Sequence, residues 1–279
     1  MIDEVLRIKL ENNPLMYRDK LTIPDNINFG LELELDKIKY DEVYKLVRKK
    51  LGDSWIVKKD KSLTEGENAE IVSPVLQNNK ETWLLLKKVG EILKSLNPTY
   101  NNCSFQVNFD GELLPTLKDK VRFLKLYAMY EDIIYKFSKG EDLEYRNSLE
   151  MYAYPIILTL KGLMYLYDDD IVNVFTNNKR YGIIFKQQDK ELIEFRTPNM
   201  TSNIILWQNY ITTFYYLLNF SISDKYDKKD VDCYINNFYK SYLLGYYELE
   251  NKDKATQLVK SIFPNSIDQY NFMHQYFGK

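Results

Sequence analysis

Histidine is nearly missing from this chain: among 279 residues His274 is the only one. That scarcity argues against a Ser-His-Asp triad, a histidine-rich zinc site and a phosphohistidine mechanism. His274 itself, isolated among Phe272, Gln275 and Tyr276, reads as a surface or packing residue. Cysteine is scarce too. Cys103 and Cys233 make no disulfide framework, which fits a reducing, cytoplasmic setting. No apolar run approaches membrane-spanning length, and the opening Met1-Ile2-Asp3-Glu4 lacks the basic and apolar regions of a signal peptide. A soluble protein without a membrane partner is therefore expected. A basic excess is also lacking. The formal net charge is -2 and the lysines are interleaved with Asp and Glu, so no nucleic-acid footprint is expected.

What is present is enough apolar residue (45%) to bury a substantial core. The stretch of most interest is Asn28-Phe29-Gly30-Leu31-Glu32-Leu33-Glu34-Leu35-Asp36. Its leucines alternate with acids, so a strand here collects Glu32 and Glu34 on one face. Taken alone, that is a strand with its apolar side on a core and its acids in water. Three later segments repeat the design: Ala69-Glu70-Ile71-Val72-Ser73, Phe105-Gln106-Val107-Asn108-Phe109 and Ile193-Glu194-Phe195-Arg196. If the four share a sheet, one face gathers Glu32, Glu34, Glu70, Gln106, Asn108, Glu194 and Arg196. Such a face is the floor of a site, and one arginine cannot neutralise four glutamates. Divalent cations could, and oxygen donors suit Mg²⁺ or Mn²⁺.

Around these strands the spacing predicts a helix at 40–47 and an amphipathic helix over 80–96 stopped by Asn97-Pro98. A long helix follows over 119–138. Two strands at 181–186 and 192–196 are joined by the polar turn 187–190, and a buried helix runs over 202–220. A short helix before Asn12-Asn13-Pro14 is predicted from Ile2, Val5, Leu6 and Ile8. Tyrosine-rich helices follow residue 224, with Tyr234, Tyr239, Tyr242 and Tyr246 suited to an interface with the preceding domain or between subunits. Asp168-Asp169-Asp170 reads as a helix start. Arg146 is a further arginine that could enter the site, or lie on the surface. The expected division is a catalytic domain over 1–222 and a helical appendage over 223–279.

In order along the chain, Phe29-Gly30-Leu31-Glu32-Leu33-Glu34, Asp60-Lys61-Ser62, Glu70-Ile71-Val72-Ser73-Pro74 and Glu194-Phe195-Arg196 resemble the amidoligases, carboxylate–amine ligases related to glutamine synthetase. The resemblance covers roughly residues 28–215. It implies an α+β fold, a curved antiparallel sheet with helices on one face. It implies ATP and Mg²⁺ or Mn²⁺ as cofactors, and carboxylate and amine substrates joined through an acyl phosphate. Homo-oligomers are compatible with it. By the match, Glu32, Glu34, Glu70 and Glu194 are metal ligands, and Arg196 contacts phosphate or substrate. Asp60 and Ser62 lie near the catalytic centre; Arg146 belongs to no matched motif and stays a candidate nucleotide contact, with a surface or inter-helix salt-bridge role as the alternative. One element departs: where the family carries Gly-x-His-Val-His, this chain has Ser104-Phe105-Gln106-Val107-Asn108, so amides at 106 and 108 take the nucleotide-side positions. A relative that keeps the scaffold and binds without catalysing is the alternative.

Overall fold

A computed structural model describes residues 14–60, 63, 67–100, 102–141, 149–240 and 251–277. The short helix expected before Asn12 lies outside the described residues. So do Ser62, Arg146, Tyr242 and Tyr246.

The architecture is α+β. Among the described residues the strands are β1 (Asn28–Asp36), β2 (Ile56–Lys58), β3 (Asn68–Val72), β4 (Leu76–Gln77), β5 (Phe105–Asp110), β6 (Ile183–Gln187) and β7 (Glu191–Phe195). They form one antiparallel sheet in the order β2-β3-β1-β5-β7-β6, with β4 pairing the start of β1. The four polar-patterned segments are therefore neighbours: β3, β1, β5 and β7 lie side by side. Their register sets Glu34 opposite Glu70, Glu32 opposite Gln106, and Asn108 opposite Glu194.

Because side chains alternate along a strand, the same register sends Leu31, Leu33, Leu35, Phe105, Val107, Phe109, Ile193 and Phe195 to the other face, all buried. Helices cover that face. The helix over Ile204–Ile222 lays Trp207 on Phe105, with ring centres 5.3 Å apart, and Phe214 on Phe195 at 4.1 Å with planes 6° apart. Phe123, on the helix Leu117–Met129, closes edge-on against Phe195 at 5.8 Å. The helix predicted over 80–96 spans Lys80–Leu96, its N-terminus capped by Asn79 and its end turned by Asn97 in the left-handed region at φ 48°. Pro98 then forbids continuation.

The long helix predicted over 119–138 is instead two. Tyr130, at φ -105° and ψ 14°, breaks it into Leu117–Met129 and Glu131–Ser138. Periodicity alone misses such a break, because the apolar stripe runs through it. Buried Glu131 then accepts the Ile156 N–H at 2.7 Å and the Ile157 N–H at 3.2 Å, giving the helix Ile157–Leu163 its N-terminal partner. Asp168, Asp169 and Asp170 open the helix Asp168–Val174, as the sequence predicts.

The C-terminal helices Lys228–Asn236, Lys252–Ile262 and Ser266–Phe277 contribute Ile235, Leu258 and Phe272 to the same apolar cluster that holds the sheet. Phe272 stacks on Phe137 at 4.4 Å. Arg18 joins the two ends of the chain, donating to Asp268 at 2.8 Å and to Asn209 at 2.9 Å. Phe195 packs against the rings of Phe109, Phe123, Tyr127 and Phe214, so Phe195→Ala should cost about 3–5 kcal/mol, the range for deleting a buried ring. Urea denaturation measures it; a loss under about 1 kcal/mol would mean the core does not depend on this contact.

Candidate functional site

The polar face of the sheet is a charged floor under partial cover. Glu32, Glu34, Glu70, Gln106, Asn108, Glu194 and Arg196 are all buried, Glu194 completely. Beside them opens a cleft of about 390 Å³, lined by Glu32, Glu34, Glu70, Gln106 and Arg196, with Lys58, Lys59, Asp60, Tyr152 and Lys179 around them. The helices do not keep to one face alone. The segment carrying Tyr152 reaches the polar side, where the Tyr152 carbonyl accepts Arg196 Nε at 3.0 Å.

The expectation that Arg196 alone faces four glutamates is corrected by two lysines. Lys186 on β6 places Nζ 2.5 Å from Glu32 Oε1 and closer still to Glu194 Oε2. Lys58 on β2 lies 3.1 Å from Glu70 Oε1 and 3.9 Å from Glu32 Oε2. Arg196 Nη1 donates to Glu194 Oε1 at 2.5 Å. Lysines at strand ends read as solvated surface, which hides them. The observed register, with Gln187 opposite Glu191 and the turn at 188–190, sets Lys186 diagonal to Glu194, whereas the turn expected at 187–190 shifts the pairing by one and sends Lys186 to the other face.

The two amides are integral to the network. Gln106 Nε2 donates to Glu34 Oε1 at 2.6 Å while Gln106 Oε1 accepts Arg196 Nη1 at 3.1 Å. One side chain thus couples a carboxylate to a guanidinium. Glu34 also accepts the Ser104 backbone N–H at 2.6 Å, and Asn108 Nδ2 donates to Glu32 Oε1 at 3.1 Å. Asn108 Oδ1 is buried and has no hydrogen-bond donor among the described residues. The close approach beside Arg196 depends on Gly182, whose carbonyl accepts the Arg196 N–H at 2.8 Å. A Cβ there would stand 2.6 Å from the Tyr135 hydroxyl.

Glu32 and Glu70 act as a pair. Burial alone would raise Glu32, but the hydrogen bond with Glu70 and the Lys186 and Lys58 ammonium groups overcome it and hold its carboxyl well below the usual range. Glu70 moves the other way. Burial, the hydrogen bond with Glu32 and that neighbour's charge push it up to about 8, against a weaker pull from half-exposed Lys58. The pair thus carries one proton near neutrality. Burial opposes the charged forms of Lys186 and Arg196, yet Glu194 and Glu32 raise both.

A resident divalent ion fits this arrangement poorly. The four implied ligands share one face, but among the described residues no group of three or more His, Cys, Asp and Glu side chains is arranged to hold a metal ion. Glu194 is taken by Arg196 and Lys186, and Glu32 by Lys186 and Asn108. Asp60 reaches the cleft lining; Ser62 and Arg146 lie outside the described residues. Cys103 and Cys233 are unbridged, and no helix of the described residues is long and apolar enough to cross a membrane. No protein-family model matches the chain, and no curated protein matches it.

The shared proton has a pH signature. A carboxyl raised from 4.5 to about 8 contributes its full stability below the lower value and loses it as pH rises through the upper one. The melting temperature of the wild type should therefore fall by about 5 °C between pH 6 and 9, and that of Glu70→Gln by much less. Equal falls in the two proteins would show that Glu70 does not hold the proton.

Proposed function

We propose that this chain is an ATP-dependent carboxylate–amine ligase of the amidoligase kind, built on a glutamine synthetase-like catalytic fold and working in the cytoplasm. One observation carries the reading. Motif segments spread from residue 28 to residue 196 meet on adjacent strands, in matched register, with their polar residues on the one face that borders the cleft. A decorative strand pattern would have no reason to converge.

In this reading the triphosphate is neutralised by Lys58, Lys59, Lys179 and Arg196, cations that line the cleft. Magnesium or manganese arrives as the counterion of the nucleotide, part of the substrate and not a fixture of the face. A carboxylate oxygen of the first substrate attacks the γ-phosphorus and ADP leaves. The amine nitrogen then attacks the acyl carbon and expels phosphate, and the proton it loses passes to a cleft carboxylate, with Asp60 the candidate on the lining. Substituting amides for the family's histidines is compatible with this. Gln106 hydrogen-bonds to Arg196 and Glu34 at once, so it orients both groups.

A second reading has its own support. Lys58, Lys186 and Arg196 already neutralise the acids, which suits a scaffold that binds an anionic ligand and does no chemistry. Phosphate release from Mg-ATP, followed across a panel of acids and amines, separates the two. The ligase reading expects release that needs both an acid and an amine. Lys59→Met and Lys179→Met alter exposed residues, so the fold should persist while KM for ATP rises about tenfold, the worth of one charge-assisted hydrogen bond. Nucleotide binding without turnover would favour the scaffold, and calorimetry with no nucleotide binding at all would end the ligase reading.

A further inference from the structure

We infer that the Lys186 ammonium is the built-in cation of this face, standing between Glu32 and Glu194 in the position a divalent ion would otherwise have to fill. Three strands supply the arrangement: Glu32 from β1, Glu194 from β7 and Lys186 from β6. Glu194 is wholly buried and the Lys186 side chain keeps 12% of its exposure, so neither group is neutralised by bulk water. Two buried carboxylates facing the same point repel unless a cation lies between them, and Lys186 Nζ lies in ion-pair contact with both.

A second donor meets the ammonium at the same Glu32 oxygen, so that carboxylate is held in place from two sides. Asn108 is buried, and its Nδ2 donates to the Glu32 oxygen that Lys186 contacts. Taking the ammonium away leaves the carboxylate oxygens of Glu32 and Glu194 facing one another, hard donors of the kind Mg²⁺ and Mn²⁺ accept. The chain thus keeps the carboxylates of a metal-binding face while supplying the positive charge covalently. The inference concerns the protein without nucleotide, and it holds or fails separately from the ligase reading.

The test follows Mn²⁺ on the full chain without nucleotide, by the loss of the free-ion paramagnetic resonance signal and by thermal melting. Wild type should leave the Mn²⁺ signal unattenuated, and its melting temperature should not respond to about 1 mM Mn²⁺. Lys186→Ala should melt lower than wild type and recover by about 3 °C or more with the same Mn²⁺, binding one ion at least tenfold more tightly. Lys186→Arg keeps a cation and should behave as wild type. Two results would overturn the inference. One is a wild type that binds Mn²⁺ tightly and loses it on Glu194→Gln, which would mean a resident metal. The other is a folded Lys186→Ala protein, or a folded Lys186→Met where the alanine variant does not fold, that binds Mn²⁺ no more tightly than wild type and melts no higher with it.

Discussion

Four carboxylates buried on one sheet face are the constraint to which the rest of this structure answers. Leaving one such charge unpaired costs several kcal/mol, comparable to the whole stability of a domain. Here the compensation is nearly complete without any outside ion. Lys58, Lys186 and Arg196 oppose Glu32, Glu34, Glu70 and Glu194, and the proton held between Glu32 and Glu70 closes the balance. Glu194 illustrates the consequence. The sequence suggests a carboxylate whose removal would relieve repulsion. With Arg196 and Lys186 both bound to it, removal would instead take from two buried cations an anion that both contact.

The charged face is held in place by the apolar one. Each strand that presents an acid or amide to one side presents an aromatic or aliphatic residue to the other, so the position of Glu194 is fixed by the Phe195 ring packed between Phe214 and Phe123. Packing at interior density resists sub-ångström shifts. That rigidity keeps Gln106 within reach of both Glu34 and Arg196, and it makes the floor preorganised before any ligand arrives.

The convergence of Glu32, Glu34, Glu70, Gln106, Asn108, Glu194 and Arg196 was legible in the sequence, because alternation along a strand assigns faces and the shared pattern assigns the sheet. The helices found over 40–51, 80–96 and 204–222 were legible as 40–47 and 80–96 from apolar spacing and as 202–220 from a long apolar run. The break at Tyr130 was not, since it lies in one residue's backbone angles and leaves the apolar stripe intact. The lysines were missed for a different reason. A long amphipathic side chain at a strand end is equally suited to water and to folding back over the sheet, and only the register shows which acid it meets. Tyr152 escaped notice because its backbone carbonyl, not its side chain, contacts Arg196.

The two lysines are not equivalent, and the difference bears on how the face can accept a ligand. Lys58 keeps half of its exposure, so its ammonium remains hydrated and can leave Glu70 at little cost. Glu70 tolerates that departure because, raised to about 8 with Lys58 in place, it already holds a proton near neutrality and does not depend on the ion pair. Lys186 has no such latitude: withdrawing it would leave Glu32 and Glu194 facing each other across buried space. The face therefore has a fixed side, at β6 and β7, and an exchangeable side, at β2 and β3. The exchangeable side is the one lined by Lys58, Lys59, Asp60 and Glu70 at the cleft, so an anion can be received there without disturbing the charges that hold the sheet together.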